Sequence, residues 1–197
     1  YDEDLLKDYD ELQGQNTDHN LIIFHLLGQH VQYRQRSPKE RKLFRGDDYK
    51  ELKPNLNARE RQTLADYDNA ILYNDSVVTE IVKKFDNEDA IVIYVPDHGE
   101  EYYHLATVNQ IMMAHAEFDI PMWIWCSRKY IKKRPEVFRQ VVNARNRRFM
   151  TDALAHMLLY LGGIHARDYN EQLNLLSPEY NENRPRILKN TTDYDKL

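Results

Sequence analysis

At 197 residues, with 32 Asp and Glu against 27 Lys and Arg, the chain has room for one sizeable core and carries a formal charge of -5. That balance argues against a partner recognised through nucleic-acid phosphates. The lone cysteine, Cys126, excludes an internal disulfide framework and a cysteine-based zinc centre. No apolar run approaches the roughly 20 residues that a membrane-crossing helix needs, and no signal peptide is visible. The opening YDEDLLKDYDELQ has no initiator Met and is helical from the start, so a piece of a longer polypeptide is expected.

In chain order, Leu5, Leu6, Tyr9 and Leu12 fall near helical spacing and predict an amphipathic helix over residues 1–12. After the turn GQNTDHN, the run LIIFHLL predicts a short, fully buried strand ending at Gly28. Residues 31–57 are polar and rich in basic side chains (Arg34, Arg36, Lys39, Arg41, Lys42), with Pro38, Gly46 and Pro54. A long loop is expected there, solvated by default but able to meet an anionic substrate. Asn57 to Phe85 gives the longest helical pattern, with Leu64, Tyr67, Ile71, Val78, Ile81 and Val82 as its apolar stripe.

The turn NEDA leads into IVIYV, a second buried strand, and residues 101–117 read as irregular or partly helical. DIPMWIW predicts a third strand with Pro121 near its start, and Cys126 follows as a core thiol. RPEVFRQVVNARNRR reads as a surface helix, with Arg147 and Arg148 as surface charges. TDALAHMLLYLGGI is a helix capped by Thr151 or Asp152 and stopped by Gly162-Gly163. A last short strand is expected at Arg186–Leu188. Strands alternating with helices predict an α/β fold, a mostly parallel sheet flanked by helices and incomplete on its N-terminal side. The continuous apolar runs suggest strands covered on both faces.

The polarity gathered at the strand ends points to chemistry. The first predicted strand ends in Gly28-Gln29-His30, the second in Asp97-His98-Gly99-Glu100. In a parallel sheet both ends would lie at one carboxyl edge, where open α/β folds place their ligands. His104 and His115 follow in the irregular stretch, so up to four imidazoles and several carboxylates could meet. Such donors suit zinc, with manganese as an alternative. His25 within an apolar run reads as structural, His156 as core or half-buried, and His19 and His165 as surface residues.

The segments LIIFHLLGQH, DYDNAILYNDSVVTEIVKKF, AIVIYVPDHGEE, FDIPMWIWCS and FMTDALAHMLLYLGGI occur in the order found in sulfatase-like hydrolases of the alkaline-phosphatase superfamily. The chain resembles above all the bacterial phosphoethanolamine transferases that decorate lipid A and related envelope glycolipids. The resemblance implies that Asp97 and His98 ligate zinc and that His30 lies by the substrate phosphate. It implies a further histidine at the site, His115 or alternatively His104, and a supporting role for Glu100 in orienting a ligand.

It also implies a phospholipid donor, a glycolipid or sugar-phosphate acceptor, and a membrane-anchored enzyme working on the periplasmic face of the inner membrane. The family's attacking Thr and its acidic zinc ligand belong to an upstream part that this sequence does not contain. Cys126, in CSRKY, does not fit the Cys-x-Pro-x-Arg run of sulfatases. A sulfatase, phosphodiesterase or phosphoglycerol transferase, or a non-catalytic binding lobe of the same fold, stand as alternatives. The chain by itself is expected to be inactive, and an exposed sheet edge would invite self-association.

Overall fold

The longest periodic stretch of the sequence becomes the longest helix of the protein. In the computed structural model, which describes residues 1–12, 17–99 and 118–196, this helix belongs to the first of two compact units, Tyr1–Asp86 and Asn87–Leu197. Helix α1 spans Asp4–Glu11 and helix α2 spans Ala58–Lys84. Asn57 starts α2 with a capping box: its side chain accepts from the N–H groups of Arg59 and Glu60, and the Glu60 carboxylate accepts from the Asn57 N–H at 2.7 Å.

The buried face of α2 is displaced from the expected stripe. It comprises Ala65, Ala70, Tyr73, Val77 and Ile81 together with Asp66, Asn69 and Asn74, whereas Ile71 is exposed. The cause is the loop that covers it. Residues 43 and 44 have no sheet partner among the described residues, and the fully buried Asn69 takes that place: its Oδ1 accepts from the N–H groups of Leu43 (2.7 Å) and Phe44 (2.9 Å), and its Nδ2 donates to the Phe44 carbonyl (2.8 Å). At Gly46 the loop comes so close that a Cβ would stand 3.0 Å from the Gln62 backbone nitrogen. The expected loop over residues 31–57 is present, broken by 3-10 turns at Tyr33–Gln35, Lys39–Arg41 and Gly46–Tyr49.

The expected strand LIIFHLL does not form one. Residues 21–27 carry no ladder hydrogen bonds among the described residues, and Leu21 and Ile23 are each 76% exposed. Phe24 alone turns to an aromatic cluster with Tyr9 (5.5 Å between ring centroids) and Phe85 (6.4 Å). His25, expected to be structural, is exposed. An apolar run predicts a strand only if neighbours exist to pair with it.

In the second unit, β1 (Ile91–Tyr94) pairs with β2 (Trp123–Cys126), Ile91 opposite Cys126 and Tyr94 opposite Trp123. The pairing is antiparallel, as is that of the short strands β3 (Ile187–Leu188) and β4 (Thr192–Asp193). The mostly parallel sheet is therefore not seen among the described residues. A continuous apolar run reports burial on two faces and not strand direction, and both main strands are only half-buried.

Ser127 joins this ribbon to helix α3 (Arg128–Lys133): its hydroxyl donates to the Glu88 carbonyl (2.6 Å) and accepts from the N–H of Tyr130 (3.0 Å). Helix α4 (Pro135–Ala144) and helix α5 (Leu154–Leu161) follow. Ala144, Met157, Leu175 and Leu176 form the core here, with Ile93, Ile124 and Phe149 packed against it. Three expectations need correcting. Arg147 is no mere surface charge, because its guanidinium donates to the carbonyls of Leu175 (2.8 Å) and Ser177 (2.7 Å). Neither Thr151 nor Asp152 caps α5; a 3-10 turn over Thr151–Ala153 leads into it, and Asp152 pairs with Arg184. Cys126 is half-buried, and that burial pushes its thiol pKa up.

Candidate metal and phosphate site

His98 sits four residues beyond the last residue of β1, on backbone that has left the ladder. Its Nδ1 lies 2.7 Å from the Gly99 carbonyl oxygen. A carbonyl can only accept, so Nδ1 carries the hydrogen and the lone pair of the neutral ring stays on Nε2. That Nε2 is 3.9 Å from Oδ2 of Asp97. Two donors on a tetrahedral zinc, with bonds of about 2.0–2.2 Å, stand roughly 3.3–3.5 Å apart. A shift of a few tenths of an ångström would bring this oxygen and nitrogen onto one cation.

Both side chains are open to solvent, at 88% for Asp97 and 61% for His98. Asp97 also accepts from the His98 N–H through Oδ1 at 3.1 Å, which orients the carboxylate locally. The donor set therefore fits a zinc ion as two of its ligands. Among the described residues, no group of three or more His, Cys, Asp or Glu side chains gathers into a fuller set. Glu100, His104 and His115 lie outside the described residues.

His30 belongs to the first unit and is exposed. Its turn is tightly determined. The Asp2 carboxylate accepts from the N–H groups of Leu27 (3.1 Å) and Gly28 (2.8 Å). Gly28 takes a φ of +54°, where a side chain would be strained. On the other side, the Arg36 guanidinium donates through Nε to the His30 carbonyl (3.0 Å) and through Nη2 to that of Val31 (2.9 Å). No local sequence pattern marks Asp2 or Arg36, because each acts on backbone and across a gap in sequence. The half-buried His156 accepts from the Asn170 N–H at 3.2 Å through Nδ1, a structural role.

The chain belongs to the sulfatase family, whose model matches residues 1–164. Its relatives include several phosphoethanolamine transferases. Phosphoethanolamine transferase EptC of Escherichia coli (strain K12) is 32% identical over 209 residues, covering all of this chain and 36% of the relative. Kdo(2)-lipid A phosphoethanolamine 7''-transferase of the same organism is 31% identical over 135 residues, covering 62% of this chain and 23% of the relative. The crystal structure of the C-terminal periplasmic domain of E. coli EptC, in complex with Zn, superposes with a TM-score of 0.81 at 30% identity, covering 100% of this chain and 57% of that one. The chain thus spans about a third of the length of the curated relatives it matches along its whole length, and rather more than half of the solved periplasmic domain. No helix among the described residues is long and apolar enough to cross a membrane.

Proposed function

We propose that this chain is the C-terminal portion of the catalytic domain of a zinc-dependent phosphoethanolamine transferase. Its donor would be a phospholipid, its acceptor lipid A or a related envelope glycan, and its place the periplasmic face of the inner membrane. The observation that carries this reading is the relation to EptC along the whole of the chain. The Asp97-His98 pair, with an oxygen and an imidazole nitrogen already near ligand spacing, supports it.

In this reading Asp97 and His98 hold the metal through Oδ2 and Nε2, and the remaining ligands come from elsewhere in the protein. Zinc, when bound, would lower the pKa of an attacking hydroxyl and offset the charge on phosphoryl oxygens. The hydrogen bond from Nδ1 to Gly99 fixes the His98 tautomer that can ligate. His30 meets a phosphoryl oxygen, and His115, or alternatively His104, passes a proton to the leaving group. Glu100 orients a ligand. In this reading the attacking Thr comes from a part of the catalytic domain outside this chain.

The test is zinc content by elemental analysis, together with transfer of phosphoethanolamine from phosphatidylethanolamine to lipid A, on the full-length protein. Wild type is expected to hold about one or two zinc ions and to transfer. His98→Ala should lose or weaken the metal and lose the transfer. A metal-free wild type without transferase activity would overturn the proposal and leave a binding lobe.

A further inference from the structure

The backbone around His30 is braced far more heavily than an exposed loop needs. Asp2 grips the N–H groups of Leu27 and Gly28 before the histidine, and Arg36 grips the carbonyls of His30 and Val31 after it. Between these clamps the His30 N–H donates to the Leu27 carbonyl at 3.2 Å, closing a turn. Gln32 follows in the left-handed region, with φ +68°. A non-glycine residue there is strained and persists only where its surroundings impose it.

The segment that bears Arg36 is itself anchored to α2. Lys42 donates to the Arg34 carbonyl at 2.7 Å and pairs with Asp66 of α2 at 3.4 Å, and both side chains are largely buried. The Tyr33 ring meets Tyr67 of α2 edge-on, with centroids 5.0 Å apart. A continuous set of contacts therefore runs from the rigid 27-residue helix through Lys42 and Tyr33 to Arg36, and from Arg36 to the carbonyl of His30. The imidazole gains no direct contact from it. What the clamps fix is the position and direction from which that side chain starts.

We infer that Arg36 and Asp2 are positioning residues that hold His30 in its working orientation, with Arg36 tying it to α2. The inference rests on the proposed role of His30 at the phosphoryl group. The guanidinium suits the task because its planar fork presents two donors in a fixed geometry to two carbonyls, whereas a lysine ammonium is a single point at the end of a flexible stem. The Asp2 carboxylate suits it because both oxygens accept, so two successive N–H groups are satisfied by one side chain.

The test is a double-mutant cycle on the full-length protein, reading kcat and KM for phosphoethanolamine transfer, with the urea midpoint as a control on folding. His30→Ala should lower kcat strongly. Arg36→Ala should lower kcat about 10- to 100-fold with little change in KM, the size expected when a reacting group is misplaced by about 1 Å. In the His30→Ala background the same substitution should change kcat by less than about twofold, because nothing is left to position. Arg36→Lys, the variant less apt to disturb folding, should recover only part of the loss, and Asp2→Asn should repeat the non-additivity from the other side of the turn. Equal losses from Arg36→Ala in both backgrounds would overturn the inference and leave Arg36 a structural brace. An unchanged kcat in His30→Ala would overturn the role of His30, and the inference with it.

Discussion

His30 and the Asp97-His98 pair both end an apolar run, yet the protein holds them in different ways. The first is fixed by long-range clamps: a carboxylate from α1's approach, a guanidinium from the following loop, and a scaffold helix behind both. Around the second, the bonds seen among the described residues are short-range ones from His98 to Asp97 and Gly99, with both side chains largely in solvent. The difference fits the tasks proposed for them. A histidine that touches a phosphoryl oxygen has no other anchor, so the fold must orient it. A metal-ligand pair is ordered by the ion itself and needs from the fold only the correct tautomer and spacing.

The comparison breaks most sharply if the scaffold helix is not what holds the first region. Asn69 is fully buried and makes three hydrogen bonds to the loop backbone. Asn69→Leu would deprive two donors and one acceptor of the partly buried loop backbone of their partners, and should destabilise the first unit by about 2–3 kcal/mol. A urea midpoint measured on the protein and its variant checks this. A shift under about 1 kcal/mol would mean that the loop is not seated on α2 through this side chain.

In the second unit, Ser127 plays the comparable joining role, its hydroxyl also accepting from the Ala90 N–H at 3.3 Å. It caps α3 and ties it to the Glu88 carbonyl at the entry to β1. Ser127→Ala should cost about 1–2 kcal/mol, the loss of a buried cap. Asn57→Ala, an exposed cap on α2, should cost about 1 kcal/mol. Thermal unfolding of the two variants side by side ranks them. The reverse order would show that the ribbon leading to Asp97 is less dependent on its joint than the geometry indicates.

Much of this was legible in the sequence, and the failures share a cause. The bounds of α2 followed from the helical spacing between Asn57 and Phe85, and β1 and β2 from short apolar runs. The Asp97-His98 pair was visible because adjacent polar groups at the end of a buried strand are unusual. The buried face of α2 was misjudged because Asn69 and Asp66 are buried to hold the loop, one through its backbone and the other through Lys42, and hydrophobic spacing does not register such polar residues. Arg36, Asp2 and Arg147 escaped for a related reason: each binds main-chain groups, Arg36 five or six residues away and the other two 25 to 30 residues away. Residues 21–27 were read as a strand from their side chains alone, whereas a strand is a relation between two chains.

That segment yields a prediction about association. Leu21 and Ile23 expose apolar side chains on backbone that carries no ladder hydrogen bonds among the described residues, a feature that can recruit a neighbouring strand. The isolated chain should self-associate with rising concentration, and Leu21→Lys with Ile23→Lys should suppress it. Light scattering after size-exclusion chromatography reads the outcome, and a wild type that stays monomeric at high concentration would rule the strand out as the contact.

The smallest expected effect concerns pH. Burial works to raise the Asp89 pKa, but hydrogen bonds and charge from Lys133 and Arg134 outweigh it and hold the carboxyl below its usual value of 3.8. A depressed folded-state pKa contributes stability that is fully present above the unfolded value and is lost as pH falls through the folded one. Asp89→Asn should therefore lower stability at neutral pH while flattening the acid limb below about pH 4. Because Lys133 and Arg134 close α3 and open α4 while Asp89 precedes β1, the pair ties the helices to the ribbon that presents Asp97 and His98. If unfolding midpoints of wild type and variant run parallel down to pH 3, that tie carries no weight, and the second region rests on Ser127 and core packing alone.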